Sequence, residues 1–351
     1  MSKREDYAEL ATEWVGRFAK DQIAFTTSEL EAKLADSVWP GAPHRLEPHH
    51  LSTARRVLGS LGVLHSASER SWGGHTVEMN YWTDSTAAEL IAAASAKRSA
   101  TVAYLSWAIG NKRHPNGLVG PAAEHVVNEA MIRAAPVAGY RLLPRNKKGV
   151  EAFGGRPITG GPLDNAATFI VEKDGQLIGV GLMPVEVKNR RDWIYPNSHE
   201  LYQLLYKAAE LQLENDTVRI CPVLICRRAH YTTHRMAKAL GFHVVQTRLN
   251  YLAPSADVDP DDVGRVRNVL GFQDLIQTDQ PDPALVRQFT EHIPKVAYRA
   301  TERWVATAAV LRDEFKALRN PSLDGSQRAE FLNELRELAR ANEIDHTDGG
   351  W

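Results

Sequence analysis

The sequence is poor in several things at once. Only two cysteines occur among 351 residues. Cys221 and Cys226 lie five apart on one predicted strand, an odd offset that points them to opposite faces. A mutual disulfide is therefore not expected, and there is no cysteine spacing of the kind that holds zinc. No apolar run approaches the roughly 18 residues that a membrane span needs. The opening residues, MSKREDYAEL, are charged and lack the apolar core of a signal peptide. These absences exclude a disulfide-stapled scaffold and a helical membrane protein, and they lead us to expect a cytoplasmic protein with no membrane partner. A hydrophobic content of 43% and a charged content of 24% are ordinary for a globular chain. The length suits two or three domains with cores of their own.

Net charge is also nearly absent, at −1, but this hides an asymmetry. Residues 1–83 carry 9 Lys+Arg against 11 Asp+Glu, and residues 251–351 carry 12 against 18. Residues 84–250 carry 21 against 14. A basic middle segment suits a polyanionic partner. Clustering on a solvated face is the plainer alternative.

Periodicity predicts helices over 7–21, 26–36 and 47–61, with Thr26 or Thr27 as N-cap of the second. Two short strands follow around Trp72-Gly73-Gly74. Three helices and a hairpin are the order of a winged helix-turn-helix over residues 1–83, whose third helix would offer His49, Ser52, Arg55 and Arg56 to a DNA groove. A packing or dimer module is the other reading. An alanine-rich helix over 85–109 predicts a linker, residues 84–115. The segment 116–255 has the strongest pattern: a helix over 121–135, strands over 166–172 and 176–188 joined at Lys173-Asp174-Gly175, a helix over 198–214 with Asn197 and Glu200 as a capping box, a strand over 218–226, a helix over 231–240 stopped by Gly241, and a strand over 242–249. This predicts an α/β fold, a mixed sheet flanked by helices. Residues 256–345 read as a helical, acidic C-terminal domain, a candidate homodimer surface, and 346–351 as a disordered tail.

Glu-x-Lys occurs three times: Glu31-Ala32-Lys33, Glu186-Val187-Lys188 and Glu314-Phe315-Lys316. The first and third fall in helical segments and read as ordinary solvated pairs. The second ends a strand. There, residues two apart share a face, so Glu186 and Lys188 project together while Val187 points into packing. A hairpin centred on the 173–175 turn sets Asp164 opposite about residue 184, near Glu186. Two neighbouring carboxylates repel unless a cation joins them, and hard oxygen ligands suit magnesium. Glu124 shares a helix face with Val127, Asn128 and Met131 and so points inward; Glu129 is the alternative.

Pro162-Leu163-Asp164, then Glu186-Val187-Lys188-Asn189, then helix, buried strand, helix and strand together resemble the PD-(D/E)xK nuclease superfamily, in its restriction-endonuclease-like and Holliday-junction-resolvase-like branches. The resemblance covers about residues 120–250, and the proline stands one place earlier than usual. It implies a Mg2+-dependent DNA endonuclease, with Mn2+ able to substitute, acting on duplex or branched DNA in restriction, anti-phage defence or repair. Asp164, Glu186 and the Val187 carbonyl would hold metal, Glu124 a second one, and Lys188 would orient water or neutralise the phosphorane. Asn189, Arg190, Arg191, Gln203, Arg227, Arg228, Arg145, Lys147 and Lys148 would contact phosphates. Two alternatives stay open: a catalytically inactive nuclease-fold regulator or subunit that binds DNA, and an RNA nuclease on the same fold. The thirteen histidines, His49-His50 included, lack ligand spacing and read as surface or phosphate contacts.

Overall fold

The computed structural model describes residues 3–70, 75–255, 257–344 and 351. It is a mixed α/β protein, 51% helical and 20% strand. Among the described residues no helix is long and apolar enough to cross a membrane. Contacts divide the chain into two units, residues 1–119 with 252–277 and residues 120–251 with 278–351.

In the first unit, helix α1 (Lys3–Gln22) buries Ala11, Trp14, Val15, Phe18 and Ala19, the three- and four-residue spacing of one helix face. Ile23, in left-handed backbone at φ 62°, turns the chain into strand β1 (Ala24–Thr26). Three residues are too few for a periodic signal, and this strand is absent from the sequence reading. Thr26 then caps α2 (Thr27–Glu31), its hydroxyl accepting from the Glu29 amide; the helix runs on as a π turn to Asp36. Helix α3 (Pro48–Ser60) buries Pro48, Leu51, Ala54 and Leu58. Strands β2 (Leu64–Arg70) and β3 (Thr76–Trp82) pair antiparallel, and β1 adds to β3, giving the order β1-β3-β2. The expected Trp72-Gly73-Gly74 turn lies outside the described residues. Helix α4 (Ala87–Ala108), opened by a Thr86–Glu89 capping box, buries Ala94, Lys97, Ala100, Tyr104 and Trp107. It packs within this unit on β1, β3 and the helix Pro260–Leu270, so residues 85–109 are a core element of it.

In the second unit, helix α5 (Val119–Ala138) leads to strand β4 (Arg141–Leu142) and a small hairpin, β5 (Ala152–Phe153) with β6 (Arg156–Pro157). Strands β7 (Asn165–Lys173) and β8 (Gln176–Lys188) turn through Asp174 and Gly175 alone, at φ 50° and 77°. Both residues are left-handed, the backbone a two-residue hairpin turn requires. Helix α6 (His199–Glu214) is followed by β9 (Arg219–Ile220) and β10 (Val223–Cys226), helix α7 (Tyr231–Leu240) and β11 (His243–Gln246). The expected strand 218–226 is thus broken at Pro222, which has no amide to give a ladder. The sheet runs β11-β10-β8-β7-β4 with β9 beside β8. Strand β10 is parallel to both β8 and β11, whereas β7 is antiparallel to β8 and β4.

Helix α6 is buried almost all round, polar residues included, because it is covered twice. Leu201, Leu205 and Ala209 share one core with sheet residues Leu182, Ile220 and Leu224 and with Trp304, Ala308, Leu311 and Phe315 of the helix Ile293–Leu318. The C-terminal helices therefore build the second unit's core instead of standing apart as a domain. Trp351 is buried too, with the Arg336 guanidinium 5.3 Å from its ring, so the last residue of the expected tail is packed; residues 345–350 lie outside the described ones.

Candidate active site

The β7–β8 ladder ends at Asn165↔Val185. One residue before it, Asp164 replaces the next backbone partner with its side chain: Oδ2 accepts from the Val187 amide at 2.6 Å. Asp164 is held there by its neighbour Leu163, which pairs through both backbone groups with Val150 at 2.7 and 3.0 Å. Gly149, at φ 107°, lets that strand approach, since a Cβ would lie 2.1 Å from the Leu163 carbonyl oxygen. The register places Asp164 opposite residue 186 instead of 184. The two-residue turn and a shift between Val171 and Glu172 move it by that much.

At the end of β8 the tripeptide behaves as strand geometry requires. Val187 is buried, and Glu186 and Lys188 meet on one face, Nζ to Oε1 at 2.9 Å. Glu186 is only 4% exposed. Its other oxygen accepts from Lys207 at 3.1 Å, and Lys207 also donates to the Pro162 carbonyl at 2.5 Å. Lys188 donates to Gln203 Oε1 at 2.9 Å. Gln203 and Lys207 are one turn apart on α6 and share a face. Sequence reasoning missed Lys207. The available signal was a lysine four residues after Gln203, on the same face of α6.

The charges are crowded. Burial, then the Glu186 and Glu124 carboxylates, push Asp164 up to about 7, against the pull of Lys188 and the Val187 amide. For Glu186 burial works in the same upward direction, but Lys188 and Lys207 outweigh it and hold the group below the ordinary glutamate value. Burial alone would lower Lys188. Glu186, Asp164 and Glu124 overcome it, and the ammonium is held above its ordinary value. At neutral pH, then, Lys188 is a cation and Asp164 is poised between its two forms. Glu124, half-buried on α5, thus joins the cluster electrostatically, and Arg145 Nη2 approaches it at 3.9 Å.

Most of the other candidate phosphate contacts are engaged elsewhere. Arg227 is 1% exposed and donates to the Arg190 and Arg191 carbonyls, which makes it a strut of the loop after β8 and not a surface clamp. Asn189 is likewise committed, donating to the Tyr251 carbonyl at 2.8 Å and accepting from the Tyr251 amide at 3.1 Å. Arg190 pairs with Asp192 and Glu200. That pairing takes Glu200 out of the expected capping box, and Ser198, the actual N-cap of α6, makes no side-chain cap. Arg191 is buried, and Arg228 lies 5.5 Å from the Trp193 ring. Lys147 and Lys148 are exposed, Lys148 being 4.0 Å from Glu151.

In the first unit, His49, Ser52 and Arg56 lie on the exposed face of α3, while Arg55 is tied to Thr27, Glu78 and Asn80. Here one expectation needs correcting. The N-terminal turn of α3 brings ligand atoms of Glu47, His49 and His50 within 4.8 Å of one another, a group that could hold a metal although the sequence spacing suggested none.

Comparisons with family models, curated proteins and solved structures gave no match. The site therefore has to be read from its own chemistry.

Proposed function

We propose that the chain is a divalent-metal-dependent nuclease acting on DNA, with its centre at Asp164, Glu186 and Lys188. The observation that carries this reading is the meeting of two carboxylates and a lysine at the end of one buried strand, with Asp164 pushed up to about 7 by burial and by the Glu186 carboxylate. Side-by-side carboxylates that resist ionising together are a donor set for a hard cation. Asp164 and Glu186, with Glu124 and the Val187 carbonyl, are the groups that would hold Mg2+ or Mn2+. When bound, such a metal supplies Lewis-acid polarisation of a phosphate and a more acidic water.

The chain's own residues have separable tasks. Lys188, a cation at neutral pH, stabilises negative charge that grows on a phosphate and orients a water; it is not the proton acceptor while paired with Glu186. Gln203 fixes the Lys188 ammonium from α6. Lys207 fixes Glu186 and holds the Pro162 carbonyl just before Leu163-Asp164. Ionisation of Asp164 near neutrality ties metal loading to proton release.

The fold reading follows the same lines. A mixed sheet with Asp164 leading into β7 and Glu186-Val187-Lys188 ending β8, followed by α6, β10, α7 and β11, supports the PD-(D/E)xK assignment. The order α1-β1-α2-α3-β2-β3, with β1 on β3, supports a winged helix in the first unit, presenting His49, Ser52 and Arg56 to DNA. A second reading, DNA binding without turnover, is favoured by one feature: both Glu186 oxygens are taken by ammonium groups. End-labelled duplex, branched and single-stranded DNA, and RNA, incubated with Mg2+, Mn2+ or EDTA, separate these. Metal-dependent cuts in DNA are expected. Salt-sensitive binding with every substrate intact would favour the second reading, and cuts confined to RNA would change the substrate.

A further inference from the structure

Beyond the carboxylate–lysine centre, α6 and the end of the helix Ile293–Leu318 flank a cavity of about 440 Å³ lined by Gln203, Lys207, Lys316, Arg319, Asn320 and Gly160. We propose that it is a phosphate-binding pocket, which seats a nucleic-acid phosphate flanking the one that is cut. This deepens the nuclease reading and rests on it.

Three cations face the cavity, and among its described lining residues none is acidic. Two of the lining residues already touch the centre: Gln203 accepts from Lys188 at 2.9 Å, and Lys207 donates to Glu186 at 3.1 Å. Pocket and centre are thus adjoining sides of one α6 face. The opposite wall is the last turn of the helix Ile293–Leu318 and its C-cap, with Lys316 and Arg319 three residues apart.

The plainer reading is that these two cations serve the negative end of the helix. That work is done by another residue: Arg328 donates to the Leu318 and Asn320 carbonyls at 2.8 and 2.7 Å. Arg319 instead lies 4.4 Å from the Tyr206 ring, and stacking of that kind leaves the guanidinium's in-plane N–H groups available to a planar or tetrahedral anion. Gly160, at φ 93°, keeps the mouth clear; a Cβ there would come within 3.0 Å of Tyr206 and 3.1 Å of Arg319. The volume exceeds what a phosphate alone needs and leaves room for its sugar.

The test compares the wild-type chain with Lys316→Ala/Arg319→Ala in EDTA. The probes are pyrophosphate, observed by phosphorus NMR line broadening, and three duplexes: 5′-phosphorylated, 5′-hydroxyl and closed-ended. Wild type should broaden the pyrophosphate signal and the double variant should not. DNA affinity should fall about tenfold, and the salt dependence should become shallower by roughly one unit of log–log slope, the loss of one phosphate contact. A loss confined to the phosphorylated end assigns the pocket to a terminal monoester, and an equal loss on the closed duplex assigns it to a backbone diester. Unchanged broadening and affinity in a variant with the wild-type melting temperature would overturn the pocket. If the double variant does not fold, Lys316→Ala alone, at an exposed position, repeats the comparison with a smaller loss expected. Pyrophosphate binding at these residues in a protein that cuts no DNA would sink the nuclease reading and leave the pocket. Cleavage with an indifferent pocket variant would do the reverse.

Discussion

Two buried glutamates in this chain are each held by two lysines, one in each unit. Glu29, fully buried, pairs with Lys33 at 2.6 Å and Lys97 at 3.0 Å. Glu186, 4% exposed, pairs with Lys188 at 2.9 Å and Lys207 at 3.1 Å. The difference is in what surrounds each triad. Around Glu29 the spare ammonium hydrogens go to Gln22, the Ala24 carbonyl and the Val269 carbonyl, closing the cluster on neutral groups. Around Glu186 stands a second carboxylate, Asp164, which burial and the Glu186 charge push up to about 7. A buried Glu–Lys pair is thus a weak sign of function by itself. A second acid kept beside it, at a cost in stability, is the stronger one.

The largest expected effect tests the likeness. Glu29→Gln and Glu186→Gln each strand one buried and one partly buried ammonium group, and each should cost about 3–5 kcal/mol in denaturant unfolding at pH 7. A cost near zero at either position would mean that the triad there is loosely packed. The next tests the contrast. Lys188→Ala should lower the cleavage rate by about 10²–10³-fold, the usual cost of removing one transition-state charge partner. Lys33→Ala should lower stability and leave the rate per folded molecule unchanged. Equal losses of rate in both would erase the distinction between the units.

A subtler effect follows from Asp164. Its folded value lies above that of the unfolded chain, so the protonated form stabilises the fold in acid. That contribution is lost as pH rises from the ordinary aspartate range through about 7. Asp164→Asn should accordingly melt higher than wild type at pH 8 without metal, by several degrees, and close to wild type at pH 4. Added Mg2+ should raise the wild-type melting temperature and leave the variant's where it is. A variant less stable than wild type at pH 8 would show that the carboxylate is welcome there, and the crowding would have no consequence. The smallest effect concerns the third Glu-x-Lys. On a helix, residues two apart do not face each other, and Lys316 is exposed while Phe315 is buried. Lys316→Ala should leave the melting temperature within about 2 °C of wild type, as for surface substitutions in general.

Much of the second unit was legible because apolar runs stand on either side of an Asp-Gly turn, which places Asp164 near Glu186 from the sequence alone. The two-residue error came from the turn and the bulge, and neither leaves a hydrophobic trace. Strand β1, three residues long, has no period to read. The helices after residue 278 were legible as helices, but an apolar stripe does not say what covers it, and here it is α6. Arg227 looked like a phosphate clamp because charge at a strand end usually meets solvent; its burial depends on carbonyls of the Arg190–Arg191 loop, which only the fold brings near. Lys207 was hidden for a related reason: it is one of several polar residues on α6, Glu200, Glu210 and Gln212 among them, that read as solvated in the sequence and that the fold buries.

The central claim is that Asp164, Glu186 and Lys188 form a metal-dependent phosphodiester-cutting centre. The most direct test is DNA cleavage in Mg2+ or Mn2+ by wild type, Asp164→Ala and Lys188→Ala, with DNA binding measured in parallel. The account predicts metal-dependent cleavage by wild type, and loss of it in both variants with binding retained. Cleavage that persists in Asp164→Ala and Lys188→Ala at the wild-type rate would contradict it.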